Sequence, residues 1–562
     1  MKNCQEKRKK TGSIFILMLL LMLSVYAFGQ QVTVSGTVSD QSGDPLPGVN
    51  VVVPGTGFGT ISDGNGKYSL SVPSGNVKLN FSYIGLVSLE VYTNGSSTVN
   101  VMMQEDISLL DEVVVVGYGV MTRKDVTSSI TTVSSDKMNV GVFSNPAQLL
   151  QGKVPGLTIT NSSDPNATPS ISLRGPSTMR SGAAMEPYYV IDGMPGMSLS
   201  LISPNDIESI DVLRDASATA IYGSKAANGV IIVTTKKGAA GHTSIDYDGY
   251  IAVNNVMKKY DMMNAAQLRS YAQSGGIDLF NDLGFDTNWQ DEVLRTGYSH
   301  NHNISISGGS EKSSYNASVN YMENQGVVRG TDMNRLIGRA FVQSKGLKDL
   351  LTLSFSINAS VTNSNRVPTS NNGESVLDAM HYYSPLVPVR NDDGSFYENP
   401  VINQNFNPVA MIYENTNNTE SKRLQGTGKA SLRIIEGLVY NASMSYQNEQ
   451  YIYNNYNSTN SLLTAGMNGR ARRSTVSNQR KVFETYLNYD KTFNTVHKLG
   501  LMGGYSWEES NDNDGFQLSI SDFYNDDLTY HNMAMGNKID ITDLGSYALS
   551  TLRMISFYGR VN

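Results

Sequence analysis

The sequence predicts a mainly β protein, with an N-terminal β-sandwich, a mixed α/β unit and a partial antiparallel transmembrane β-barrel. Three observations point there. Residues 32–103 hold seven short extended runs separated by turn residues. Beyond residue 240, apolar and polar side chains alternate over long stretches. The first 29 residues carry the pattern of an export signal.

The 562 residues exceed one ordinary compact domain, so several units are expected. Only 17% of them are charged, below the roughly 25% usual for soluble domains. Tyrosine is abundant at 31, against 2 Trp. A net charge of −7 argues against a nucleic-acid binder, which needs a basic face. A single cysteine excludes a disulfide scaffold and a cysteine-ligated metal cluster.

Lys2, Lys7, Arg8, Lys9 and Lys10 precede an unbroken apolar run, Ile14 to Leu23. Ala27 and Gly29 then stand at −3 and −1 of a cleavage point before Gln30. Residues 1–29 therefore read as a secretory signal peptide. A spanning anchor fits less well, because the run is short against about 20 residues. Cys4 lies before the run and cannot be a lipidated cysteine at the cut. No other apolar run approaches spanning length, so no transmembrane helix is expected.

Residues 30–106 form the sandwich. The runs are 32–38, 49–53, 58–61, 68–72, 77–83, 86–92 and 98–103, in the manner of an immunoglobulin-like fold. Gly55-Thr56-Gly57-Phe58-Gly59 precedes no helix pattern, which argues against a phosphate cradle. Asp63-Gly64-Asn65-Gly66 lacks the closing glutamate of a calcium loop and reads as a hairpin turn. Val34-Ser-Gly-Thr-Val, Pro45-Leu-Pro-Gly-Val-Asn-Val and Asp63-Gly-Asn-Gly-Lys-Tyr-Ser-Leu resemble the carboxypeptidase-regulatory-like domain. That domain is non-catalytic in its relatives.

Residues 107–121 read as a linker. Asp111, Glu112, Val113, Val114, Val115 and Val116 lead into Gly117-Tyr118-Gly119. Four consecutive valines favour an extended backbone. Such a segment either adds as a strand to a partner's sheet or is a plain buried strand. The residues from here to 238 resemble the coupling box and plug of SusC/RagA-type TonB-dependent outer-membrane transporters. The matching motifs are Leu150-Gln-Gly-Lys-Val-Pro-Gly-Leu, Ile171-Ser-Leu-Arg174-Gly175 and Tyr189-Val-Ile-Asp192-Gly193-Met-Pro. The longest runs from Asn205 through Arg214, Asp215, Tyr222 and Gly223 to Ser224, and continues from Asn228-Gly229 to Gly238. Lys225 stands where an arginine is commoner in the family.

By this resemblance, residues 122–238 form a plug inside a wide barrel, and Asp111–Val116 is the segment that TonB engages. Ser217 to Ile221 is compatible with a short helix, and Val230 to Thr235 with a strand.

Residues 239–562 read as barrel. Leu351, Leu353, Phe355, Ile357, Ala359 and Val361 alternate with Thr352, Ser354, Ser356, Asn358, Ser360 and Thr362. Tyr315–Tyr321 and Tyr440–Tyr446 repeat the period, as transmembrane strands of about 10 residues do. Ten strands are expected, near 243–255, 301–308, 313–322, 335–345, 350–363, 421–434, 437–450, 481–491, 496–508 and 551–562. Short and long connections alternate between them. With a plug entering from the periplasm, the long ones are extracellular. A barrel of about 22 strands needs roughly twice this length, so the chain reads as an incomplete barrel.

Catalytic constellations are absent: no Walker loop, no His-Glu-x-x-His and no Gly-x-Ser-x-Gly. No enzyme activity, cofactor or metal is expected. His300 and His302 share a strand face, in a polar lumen or rim position. Asp512, Asp514, Asp522, Asp526 and Asp527 read as an acidic, solvated extracellular loop, with calcium binding as the alternative. His381, Tyr382, Tyr383, Phe396 and Tyr397 could stack on sugars, bind a protein or pack the loop itself.

The resemblance implies TonB-dependent active import of oligosaccharides or peptides across the outer membrane, with a SusD-like surface lipoprotein. The sandwich and coupling segment would be periplasmic and the barrel would face outer-membrane lipid. A non-transporting adhesin or scaffold, or a non-functional fragment, is the alternative. The substrate is not legible.

Overall fold

The computed structural model describes residues 31–562 apart from 41–42, 55, 57, 74–75, 84–85, 105–112, 117–118, 123–129, 163, 176–184, 216–218, 239–240, 242, 280, 369–374, 400–404 and 494–496. The chain separates into two compact units, one ending near Val114 and one from Val126 to Asn562.

In the first unit, short β-branched runs meet tight turns. The strands are β1 (Gln31–Ser39), β2 (Asn50–Val52), β3 (Gly59–Ile61), β4 (Lys67–Pro73), β5 (Lys78–Ser82), β6 (Leu89–Tyr92) and β7 (Val101–Met102). They form two sheets, ordered β4-β1-β7 and β3-β2-β5-β6. Alternation sends Val34, Val38, Leu70, Val72, Leu79 and Phe81 into one shared core. Asp63 makes a turn, its carboxylate accepting from the Asn65 and Lys67 amides at 2.9 and 2.8 Å. The hairpin reading of that turn is wrong. The turn joins β3 to β4, which lie in different sheets, so the chain crosses the sandwich there. β8 (Val113–Val116) and β9 (Gly119–Thr122) then pair as a separate two-stranded sheet.

The second unit begins with a mixed sheet. Its strands are β10 (Ile130–Ser134), β11 (Leu157–Thr160), β12 (Ser170–Leu173), β13 (Tyr188–Ile191), β14 (Met194–Pro195), β15 (Ile207–Leu213) and β16 (Val230–Thr235). The main order is β10-β15-β16-β13-β14, with β13 and β16 parallel, and β11 pairs with β12. Both faces of β16 are apolar, so it is the buried centre, packed with Ile210, Ile159 and Ile202. The expected short helix at Ser217–Ile221 falls partly outside the described residues, and Thr219 within it is helical, its amide donating to the Asp215 carbonyl at 3.1 Å. Ser217 lies outside the described residues, and Ala220–Ala226 forms 3-10 turns interrupted at Gly223.

One large antiparallel sheet follows: β17 (Ser244–Asn254), β18 (Gly297–Gly309), β19 (Ser313–Gln325), β20 (Asp332–Gly346), β21 (Leu351–Asn365), β22 (Asn415–Ile435), β23 (Leu438–Asn457), β24 (Arg470–Phe493) and β25 (His497–Phe523). Neighbours in sequence pair in order, and β26 (Gly536–Ile539), β27 (Gly545–Ser546) and β28 (Ser550–Val561) all pair with β25. All ten expected strands are present, with β26 and β27 as additions. Several are much longer than expected. β24 and β25 have 24 and 27 residues, where about 10 cross a membrane. The extra length lies at the long-connection ends, so a ladder continues past the bilayer on that side. Among the described residues, β17 and β28 do not pair with each other.

The sheet is inside-out. Asn316, Ser318, Asn320, Asn358, Ser360, Ser443 and Ser445 are buried, whereas Val319, Leu336, Leu353, Phe355, Ile357 and Met444 are exposed. Buried polar and exposed apolar faces are what a barrel in lipid requires. His300 and His302 do not face the lumen. They share the outward face with Tyr298 and Ile304, His302 accepting or donating at 2.7 Å with the Tyr247 hydroxyl. Ser299, Asn301 and Asn303 take the inward positions, where Ser299 donates to Asn324 and Asn301 to Asn320.

The two longest connections carry α1 (Ala265–Gly275), α2 (Trp289–Val293), α3 (Val376–Tyr382) and α4 (Pro408–Tyr413). The last three share a core of Trp289, Val293, Met380, Tyr383, Val409 and Ile412. Tyr383 is thus packing, edge-on to Trp289 at 4.9 Å, while Tyr382 is 72% exposed. The acidic-loop reading also needs correction. Asp512, Asp514 and Asp522 belong to β25. Asp526 is held by Tyr456 at 2.6 Å and by the Thr459 amide at 2.9 Å.

Candidate functional site

The coupling segment comes first. Asp111 and Glu112 lie outside the described residues. Val113–Val116 is extended, as four β-branched residues dictate, and pairs with Gly119–Thr122.

The plug motifs fall mostly at turns. Asp192 and Gly193 join β13 to β14, with φ of 50° and 81°. Both angles are positive, as a two-residue hairpin of matching twist requires. The Asp192 carboxylate accepts from the Thr235 amide at 3.0 Å and the Thr235 hydroxyl at 2.7 Å, tying the turn to β16. Arg174, at φ 60°, donates to Asp215 at 2.6 Å, so two separate motifs meet. Gly175 follows Arg174 with φ 87°. Arg214 donates to the Pro155 carbonyl at 3.1 Å. Asn228 donates to the Glu186 carbonyl at 3.1 Å. Gly229 has φ 90°, and a Cβ there would lie 2.3 Å from Leu173 Cδ2. Tyr222 rests 6.2 Å from the Tyr188 ring, just before Gly223, and burial raises its phenol above the ordinary value.

A seam of polar contacts joins plug to barrel wall. Lys225 donates to both oxygens of Glu508 at 2.7 Å. Glu508 also pairs with Arg480 at 2.8 Å, and Arg480 donates to the Gly196 carbonyl and the Tyr188 hydroxyl. Burial lowers the Lys225 ammonium, with Glu508 opposing. Arg339 reaches Asp192 at 3.6 Å and also bonds Thr235. Ser318 donates to Asp206 at 2.7 Å, and burial raises the Asp206 carboxyl. Arg339, Arg480 and Glu508 are functional candidates that the sequence reading missed. Their signal was a charge at an inward position of a strand face. Arg480 fell in a region expected to be loop.

Above the plug lies a cavity of about 570 Å³. Plug residues 165–169 and 196–200 form one side, and the long-connection ends of β20, β21, β22 and β23 the other. Among the described residues, no group of three or more His, Cys, Asp or Glu side chains could hold a metal.

Fold and site together define a mixed α/β plug seated against a β-barrel wall of the outer-membrane type. Residues 34–115 match the CarboxypepD_reg-like domain, and residues 122–230 the TonB-dependent Receptor Plug Domain. The chain is 31% identical to TonB-dependent receptor P3 of Formosa agariphila, over 99% of this chain and 55% of that protein. It is 39% identical to TonB-dependent receptor SusC of Bacteroides thetaiotaomicron, over 63% of this chain and 36% of that protein. In a solved structure of the RagAB peptide importer in the open-open state, 54% of that chain superposes on 80% of this one, with a TM-score of 0.70 and 24% identity. By these matches the chain is similar to TonB-dependent receptors of the SusC type along nearly its whole length. It spans about half the length of the Formosa relatives it matches. These relatives are receptors and transporters rather than enzymes.

Proposed function

We propose that the protein serves TonB-dependent active import of oligosaccharides or peptides across the outer membrane. TonB engages Asp111–Val116 from the periplasm, and a SusD-like surface lipoprotein delivers the ligand from outside. The barrel sits in outer-membrane lipid, with the sandwich and coupling segment in the periplasm. The observation that carries this reading is the seam. The plug is tied to the wall by ion pairs and hydrogen bonds such as Lys225–Glu508 and Asp206–Ser318. Water can replace polar contacts of this kind when the plug is pulled, at a far smaller penalty than opening an apolar core. Force enters as a strand addition, whose backbone bonds need no particular side chain.

Deleting Asp111–Val116 tests the reading. Uptake of ligand by cells should vanish while binding to isolated outer membranes stays intact. Uptake that survives the deletion would remove the coupling role. Energy-independent retention without uptake in the intact protein would favour a surface adhesin.

A further inference from the structure

The cavity above the plug has a lattice that strand register defines. Across β20, β21, β22 and β23 run the rows Met333, Ser364, Thr419, Tyr453 and then Arg335, Thr362, Ser421, Tyr451. The next row inward is Ile337, Ser360, Arg423, Glu449. Hydroxyls thus fill the centre of the wall, guanidinium groups stand beside them, and Tyr451 and Tyr453 stack in parallel at its edge with rings 6.2 Å apart.

Arg335 is the anomaly. Its side chain is only 4% exposed, yet its Nε and Nη2 have no hydrogen-bond partner among the described residues. A buried guanidinium left without an acceptor is strongly disfavoured. Arg423 also has an unpartnered Nε, but its charge is met by Glu449 at 3.4 Å and its Nη2 donates to the Tyr451 hydroxyl at 3.0 Å. Arg366 donates to the Asn166 carbonyl at 3.0 Å. The cavity's other carboxylate, Glu186, lies on the plug and interacts with Tyr189. Acceptors are orphaned as well: Asn166 Oδ1, Gln447 Oε1 and Thr362 Oγ1. The cavity therefore asks for one anionic group and several hydroxyl donors on the same ligand.

We infer that this cavity binds an acidic oligosaccharide, with a carboxylate or sulfate of the sugar seated on Arg335. This rests on the import reading above and narrows its ligand class. A sugar acid meets each demand. Its oxyanion accepts from the planar guanidinium fork. Its hydroxyls donate to the orphaned acceptors, and its C–H face covers the tyrosine pair. A peptide fits less well. The wall strands have interior neighbours on both sides, so their backbone groups are already used in the ladder and leave no edge for an extended chain.

The test is calorimetric titration of the detergent-purified chain with tetragalacturonate, its fully methyl-esterified neutral form, a sulfated tetrasaccharide and tetraglutamate. Tetragalacturonate or the sulfated sugar should bind at least tenfold more tightly than the neutral ester, and the stronger of the two identifies the oxyanion. Arg335→Met should abolish that preference, and Arg335→Lys should restore part of it. Because Arg335 lacks a partner, Arg335→Met should fold as well as the parent, which circular dichroism checks. Equal binding of the neutral ester, with an unaltered response in Arg335→Met, overturns the anion site while leaving import standing. Preference for tetraglutamate overturns the sugar assignment. Failure of every probe to bind overturns this inference, while uptake that still depends on Asp111–Val116 would keep import standing.

Discussion

Lys225 of the plug and Glu508 of the barrel wall, 283 residues apart, form a two-pronged contact at 2.7 Å. Arg480 shares the same carboxylate at 2.8 Å, so one anion bridges two cations across the seam. Removing the anion leaves both cations partly buried against each other. Glu508→Gln should loosen the plug by about 3 kcal/mol. Lys225→Met should act less, because Glu508 keeps Arg480. Hydrogen exchange of the β13 and β16 amides reads the difference, and equal effects for the two variants would refute the bridge.

Gly229 sits where two constraints coincide. Its φ of 90° is unfavourable for any L side chain, and a Cβ would press on Leu173 Cδ2 and on the Leu213 carbonyl at 3.1 Å. Gly229→Ala should destabilise the plug by about 1–3 kcal/mol through the backbone alone. Overpacking adds a comparable amount. Adding Leu173→Ala should recover only the second part. Thermal melting of the parent, Gly229→Ala and the double variant separates them.

Ile357 faces outward on β21, between the inward Ser356 and Asn358. Ile357→Lys should destabilise the chain in lipid vesicles by about 2–4 kcal/mol, as a cation near the midplane does. Urea titration in vesicles measures this. An indifferent response would mean that this face does not meet hydrocarbon.

Glu398 lies in the helical cluster of the long connections, outside the spanning strands. Burial pushes its carboxyl up to about 7, with Glu414 adding to the rise and the Asn407 amide and Tyr383 opposing it. A folded value above the unfolded one means the native cluster binds the proton more tightly. Its stability therefore falls as pH rises from about 4.5 to 7, and is flat below and above that window. Local hydrogen exchange around α4 should quicken across it, and Glu398→Gln should remove the dependence. A cluster that gains protection with rising pH would contradict the assignment.

The alternation in Leu351–Thr362 was legible because it is local: each residue's face follows from the period of two, and burial matched it position by position. The seven sandwich strands were legible for the same reason, since β-branched runs and turn residues act within a few positions. Three readings failed where a neighbour decided. The Asp63 turn joins two sheets because pairing depends on which face needs cover. His300 and His302 turned outward because Ser299 and Asn301 had the inward partners. Strand ends such as 470–480 were missed because a long ladder stabilises polar segments that show no apolar alternation of their own.

Sequence alone therefore determined the order of the parts, the two faces of each strand and the motif turns, all of which arise from interactions a few residues apart. Tertiary structure decided what those faces meet. Glu508 found Lys225, Arg174 found Asp215, and Arg335 was buried without a partner beside Thr362 and Ser421. Each depends on strand register and on the seating of a plug inside a wall, where contacts between residues hundreds apart are set by the geometry of the whole sheet.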